Sequence, residues 1–134
     1  MSNKIVARYR DGRIVKGASL DIDPGRPRCH VRTPEGRTVE VQLKDLKALF
    51  FVRSLEGDAT RNDNRTPDPQ DLRSRGSQLV TLTFEDGEVM VGLTIRYPPN
   101  RPFFFILPVD PESNNLRVLV NRDAVVSMEA VGPE

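Results

Sequence analysis

The chain contains one histidine and one cysteine, His30 and Cys29, and they are neighbours. Adjacent residues of an extended strand project to opposite faces, so this pair cannot act as a nucleophile and its base. One residue of each kind gives no zinc site. Asp110-Pro111-Glu112-Ser113-Asn114-Asn115 is rich in oxygen but lacks the spaced carboxylates of a calcium loop, and no glycine-rich phosphate loop is present. These residue types predict no catalytic group, no metal and no cofactor. The chemistry that remains is recognition. Arg26, Arg101 and Arg122 are candidate phosphate or nucleic-acid contacts, and Phe103, Phe105 and Leu107, with Phe50 and Val52, are candidate interface residues.

The elements that must position these side chains occur twice. Asp11-Gly12 recurs as Asp86-Gly87, Gly17 as Gly92, Pro24 as Pro99 and Arg26-Pro27 as Arg101-Pro102, each 75 residues later. After a four-residue insertion the offset becomes 79, matching Val39 to Val118, Val41 to Val120, Leu46 to Val125, Leu49 to Met128 and Val52 to Val131. A repeat of this length means one supersecondary unit used twice. Units of about 50 residues sit near the lower limit for a self-sufficient core, so the two are expected to pack on one another or on a partner.

Period-2 alternation predicts five short strands per unit. In the first they are Ile5–Arg10, 13–22, Arg28–Thr33, 38–43 and 46–55. In the second they are Val80–Phe84, Val89–Tyr97, Phe103–Leu107, Leu116–Val120 and Val125–Val131. Asp-Gly supplies the first hairpin turn, and Gly17 and Gly92 fall where a strand must bend sharply. The expected fold is all-β: two tandem five-stranded, strongly bent small barrels, of Sm-like or SH3-like type, joined by a flexible linker. The boundaries read as 1–55 for the first barrel, 56–78 for the linker and 79–134 for the second. Apart from Leu72 the linker has no large apolar residue, and its arginines, Arg61, Arg65, Arg73 and Arg75, alternate with aspartates.

Composition narrows the partners. A net charge of +1, from 20 basic and 19 acidic residues, gives no global field toward nucleic acid or membrane. A single cysteine excludes an intrachain disulfide and fits a reducing compartment, the N-terminus lacks an apolar signal core, and no apolar run spans a bilayer. A cytoplasmic protein without membrane association is expected.

Val80-x-Leu82-x-Phe84-x-Asp86-Gly87 with Gly92, followed by Val120-Asn121-Arg122-Asp123-Ala124-Val125-Val126-Ser127-Met128, resembles the two signature segments of Sm-like proteins, the second in its bacterial Hfq-type form. Tyr9-Arg10-Asp11-Gly12 with Gly17, and Val41 to Leu49, carry the same segments in the first unit. The chain also looks like a group of uncharacterised bacterial proteins with this two-barrel arrangement, sometimes found beside signalling domains. The resemblance implies a small barrel and, in its RNA-binding members, an Asp-x-x-x-Asn element and a Lys-His pair. Here those positions read Asp23-Pro24-Gly25-Arg26-Pro27, Pro98-Pro99-Asn100-Arg101-Pro102 and Arg122-Asp123, so the RNA site is broken. PilZ-type barrels, which bind cyclic dinucleotides, use Arg-x-x-x-Arg. Arg61-Asn62-Asp63-Asn64-Arg65 has that spacing, but no matching second motif follows.

The third strands differ most. Cys29 and Val31 face inward and leave Arg28, His30 and Arg32 outside, whereas Phe103, Phe105 and Leu107 take those outward places in the second unit. Ala48-Leu49-Phe50-Phe51-Val52 is apolar on both faces, and such a strand is covered on both. These surfaces are expected to dock, within one chain or between two, making the protein a non-enzymatic interaction or assembly module with a protein partner or self-association. Nucleic-acid binding on an aromatic platform is the second reading, and a nucleotide messenger the third. On this basis Phe105→Asp should separate the barrels or the subunits, and His30→Asp should be nearly silent. RNA affinity should be weak, without base preference, and fall steeply with salt. Sub-micromolar, sequence-selective binding of a U-rich or A-rich oligomer in filter binding at physiological salt is the contrary result.

Overall fold

Alternating apolar residues form ten strands in a computed structural model that describes residues 3–57, 76–95, 97 and 99–130. They are β1 (Asn3–Tyr9), β2 (Ile14–Ser19), β3 (Arg28–Arg32), β4 (Thr38–Gln42), β5 (Leu46–Val52), β6 (Gln78–Phe84), β7 (Val89–Thr94), β8 (Phe103–Pro108), β9 (Asn115–Asn121) and β10 (Val125–Ala130). Single 3₁₀ turns at Leu43–Asp45 and Arg122–Ala124 precede β5 and β10. The described fold is all-β. The greater part of the expected linker, residues 58–75, lies outside the described residues, and with it Arg61, Arg65, Arg73 and Arg75.

All strands join one antiparallel sheet in the order β10-β6-β7-β8-β9-β5-β1-β2-β3-β4. The sequence suggests two barrels that pack on one another or on a partner. The hydrogen bonding runs unbroken from one half to the other, because β5 of the first pairs with β9 of the second. Within each half the registers recur with the sequence offsets. Ile5 faces Gly17 and Phe51, and Val80 faces Gly92 and Ala130. Cys29 faces Val41 as Phe104 faces Val120.

Gly17 and Gly92 explain the bends. A Cβ on Gly17 would lie 2.8 Å from the Arg32 carbonyl carbon and 2.9 Å from Val31 Cγ1. One on Gly92 would lie 2.8 Å from the Leu107 carbonyl oxygen and would overlap the Ile106 side chain. Only a residue without a side chain lets the third strand of each half cross the second so closely.

The second strands are shorter than alternation predicts. β2 stops at Ser19 and β7 at Thr94, leaving Leu20 and Ile95 77% and 85% exposed. In the first half the cause is a side chain. The Asp21 carboxylate accepts the His30 amide at 2.8 Å and so replaces a main-chain partner in the ladder.

Two apolar clusters form the core, and each borrows from the other half. Ile5, Cys29, Val31, Val41, Leu49 and Phe51 enclose Leu119 of β9, with Phe103 and Phe105 packed against them. Val80, Leu82, Phe84, Phe104, Ile106 and Val118 enclose Ala48, Phe50 and Val52 of β5. Gly17→Val and Gly92→Val should each force the crossing strands apart at about 1–3 kcal/mol, a melting-temperature loss of roughly 3–10 °C. Thermal unfolding followed by circular dichroism checks this, and unchanged melting in both variants is the contrary outcome.

Candidate functional site

All seven residues of β5 are buried, because its two faces serve different clusters. Ala48, Phe50 and Val52 point into the second-half cluster while Leu46, Leu49 and Phe51 point into the first. Burying a phenylalanine or valine this way contributes about 1.5–3 kcal/mol each. Phe51 and Phe105 meet across the seam with ring centroids 6.0 Å apart. The Arg117 guanidinium lies 4.2 Å from one centroid and 4.6 Å from the other. Of the residues singled out on sequence, Phe50, Val52, Phe103 and Phe105 thus gather at the junction of the halves. Leu107 is half-buried, pairs with Leu93 and joins neither cluster.

Polar side chains lock this seam. At one end the Ser54 amide donates to Asn114 Oδ1 at 3.0 Å and Asn114 Nδ2 returns a bond to the Ser54 carbonyl at 3.0 Å. Arg53 Nε and Nη2 donate to the carbonyls of Ser113 and Pro111, both at 2.9 Å. At the other end buried Asn121 donates to the Leu46 carbonyl at 2.8 Å. Lys47, 7% exposed inside β5, reaches Asp86 Oδ2 at 2.8 Å and also pairs with Glu88. Lys47 holds the Asp86 carboxyl below the usual carboxylate range. Arg10 grips Glu85 through two bonds of 2.7 and 2.9 Å. Alternation alone misses these residues. Two signals were available: a lysine within an apolar run, and opposite charges at Arg10 and Glu85, positions 75 apart and so equivalent in the repeat.

The three arginines occupy loops. Arg26 is exposed, its amide on the Asp23 carbonyl at 3.0 Å. The Arg122 amide donates to the Pro102 carbonyl at 2.8 Å, next to Arg101. Arg101 lines a groove of about 290 Å³ with Thr94, Ile95, Pro99, Asn100, Phe103, Phe104, Phe105 and, from the first half, Pro24. The groove therefore brings Arg101 together with Phe103 and Phe105, while Arg26 lies two residues beyond its rim at Pro24.

Cys29 and His30 do take opposite faces. Cys29 is fully buried, and burial pushes its thiol up to about 11. His30 Nδ1 lies 2.7 Å from Asp21 Oδ2, and the Ser19 hydroxyl donates to Asp21 Oδ1 at 3.0 Å. A serine attached to the carboxylate, not to the imidazole, is not a nucleophile–base relay. The arrangement closes a loop. The His30 amide, then its ring, holds the Asp21 carboxyl down to about 2.

Phe105→Asp should destabilise the chain by about 2–5 kcal/mol, because it removes a ring from the seam and leaves a carboxylate among apolar groups. The matching His30→Asp, which the sequence alone would leave nearly silent, should also cost stability, since it sets a second carboxylate against Asp21. His30→Asn is the near-neutral control. Urea unfolding midpoints of the three variants check this ordering. Because folding depresses the Asp21 pKa, its contribution is complete above the unfolded value near 3.8 and is lost as pH falls through about 2. Urea midpoints between pH 5 and 2 should therefore fall more in the native chain than in Asp21→Asn.

No curated protein and no solved structure matches the chain. Residues 1–132 match a family described as a family of unknown function, DUF6982. With a match over nearly its whole length, the chain belongs to the DUF6982 family.

Proposed function

We propose that this chain is a non-enzymatic interaction module, made of two tandem Sm-like, strongly bent small barrels joined edge to edge through β5 and β9. In support of the barrels, each half has strand order 5-1-2-3-4, its own apolar cluster and a glycine at the crossing of its second and third strands. In support of a binding role, one observation carries most weight. The apolar faces of β5 and β8 are engaged inside the chain, yet an apolar groove edged by Arg101 stays open beside them. The His30, Asp21 and Ser19 cluster serves to close a loop, and no helix among the described residues is long and apolar enough to cross a membrane. A cytoplasmic protein with a protein partner or capable of self-association, and without cofactor or metal, is the corresponding reading.

Nucleic acid is the second reading, favoured by Arg101 lying in one groove with Phe103 and Phe105. Light-scattering mass and the ratio of absorbance at 260 and 280 nm of the freshly purified chain separate the two. A defined small species free of nucleotide supports the interaction module. A large ring carrying bound nucleic acid supports the second reading and overturns the first.

A further inference from the structure

The gaps between second and third strands differ between the halves. In the first half β2 and β3 pair only at Ala18 and Arg32. The strands then diverge, and the Asp21 carboxylate fills the opening by accepting the His30 amide at 2.8 Å, with the Ser19 hydroxyl on the same carboxylate. In the second half β7 and β8 pair only at Gly92–Pro108 and Leu93–Leu107 and diverge in the same way. Phe105 holds the position of His30, since His30 faces Glu40 on β4 and Phe105 faces Leu119 on β9 in the repeated register. Its amide is thereby directed into the opening, where no strand pairs with it among the described residues. This opening is the groove lined by Ile95, Pro99, Arg101, Phe103, Phe105 and Pro24.

From this we infer that the groove receives an extended acidic–apolar peptide segment of a partner protein. The partner's Asp or Glu carboxylate accepts the Phe105 amide beside Arg101, and a neighbouring apolar side chain rests on Pro24, Pro99 and Phe103. The first half shows the bond in its intramolecular form. Arg101 is the one cation among the described residues of the lining, and a cation on an apolar floor suits one carboxylate better than a polyanionic nucleic-acid backbone. The Phe105 ring, moreover, already carries the Arg117 guanidinium at 4.6 Å, which leaves less of it for a stacked base. An extended segment beside a strand that has lost its neighbour also gains main-chain bonds.

The inference rests on the reading of the chain as an interaction module. The probes are blocked, fluorescein-labelled pentapeptides with a central Asp or Glu flanked by Leu, Phe or Pro, and the same peptides with Asn or Gln at the centre. Fluorescence anisotropy with the full-length protein should show acidic peptides binding at least tenfold more tightly than their amide counterparts. In nitrogen–proton correlation spectra the Phe105 amide should be among the most shifted. Arg101→Glu should lower affinity at least tenfold. Equal binding of acidic and amide peptides, or binding untouched by Arg101→Glu, overturns the inference. Tighter binding of a ten-nucleotide RNA at the same amide overturns it in favour of nucleic acid. A nucleotide-free protein that binds its partner through another surface, with Arg101→Glu silent, overturns this site alone and leaves the interaction reading standing.

Discussion

Burial of β5 on both faces is the constraint from which the rest follows. A strand can be apolar on both sides only where something covers each side, and here the covers are two different clusters. Phe50 and Val52 complete one and Leu49 and Phe51 complete the other, so neither half closes its core without the strand between them. The main chain says the same thing. β5 bonds to β1 on one edge and to β9 on the other, which turns two five-stranded units into one sheet.

Hydrophobic burial is non-directional and would tolerate a slip along the seam. The polar contacts would not. Lys47 is a charge in an apolar strand, costly unless satisfied, and it is satisfied only when Asp86 and Glu88 stand opposite it. Asn121 requires the Leu46 carbonyl, and Asn114 and Ser54 require each other. Together they fix the register that brings Phe51, Phe105 and Arg117 into contact. The groove depends on that register too, because Pro24 comes from the first half and the rest of its lining from the second.

Much of the strand pattern is legible in the sequence, since offsets of 75 and 79 are also the offsets between equivalent strand pairs. The two-sided burial of β5 can be read from Ala48 to Val52, where no polar residue interrupts the run. What alternation cannot reveal is a side chain replacing a backbone partner. Asp21 sits in a stretch that alternates like a strand, and only its bond to the His30 amide shows why β2 ends before it. Nor does a repeat disclose which strand of one copy meets which strand of the other. That choice was settled by single polar residues, Lys47 and Asn121, whose partners lie some 40 to 80 positions away.

Arg10 and Glu85 occupy the same place in the two copies and bind one another across the junction. A residue that touches its own counterpart lies near the axis relating the copies. Two identical units assembled about that axis would bring like charge against like, arginine on arginine or glutamate on glutamate. Joining the copies in one chain frees each to carry the complement of the other: cation against anion here, phenylalanine in one place where the other has histidine. The two halves have become a left and a right part, and neither can stand in for its twin.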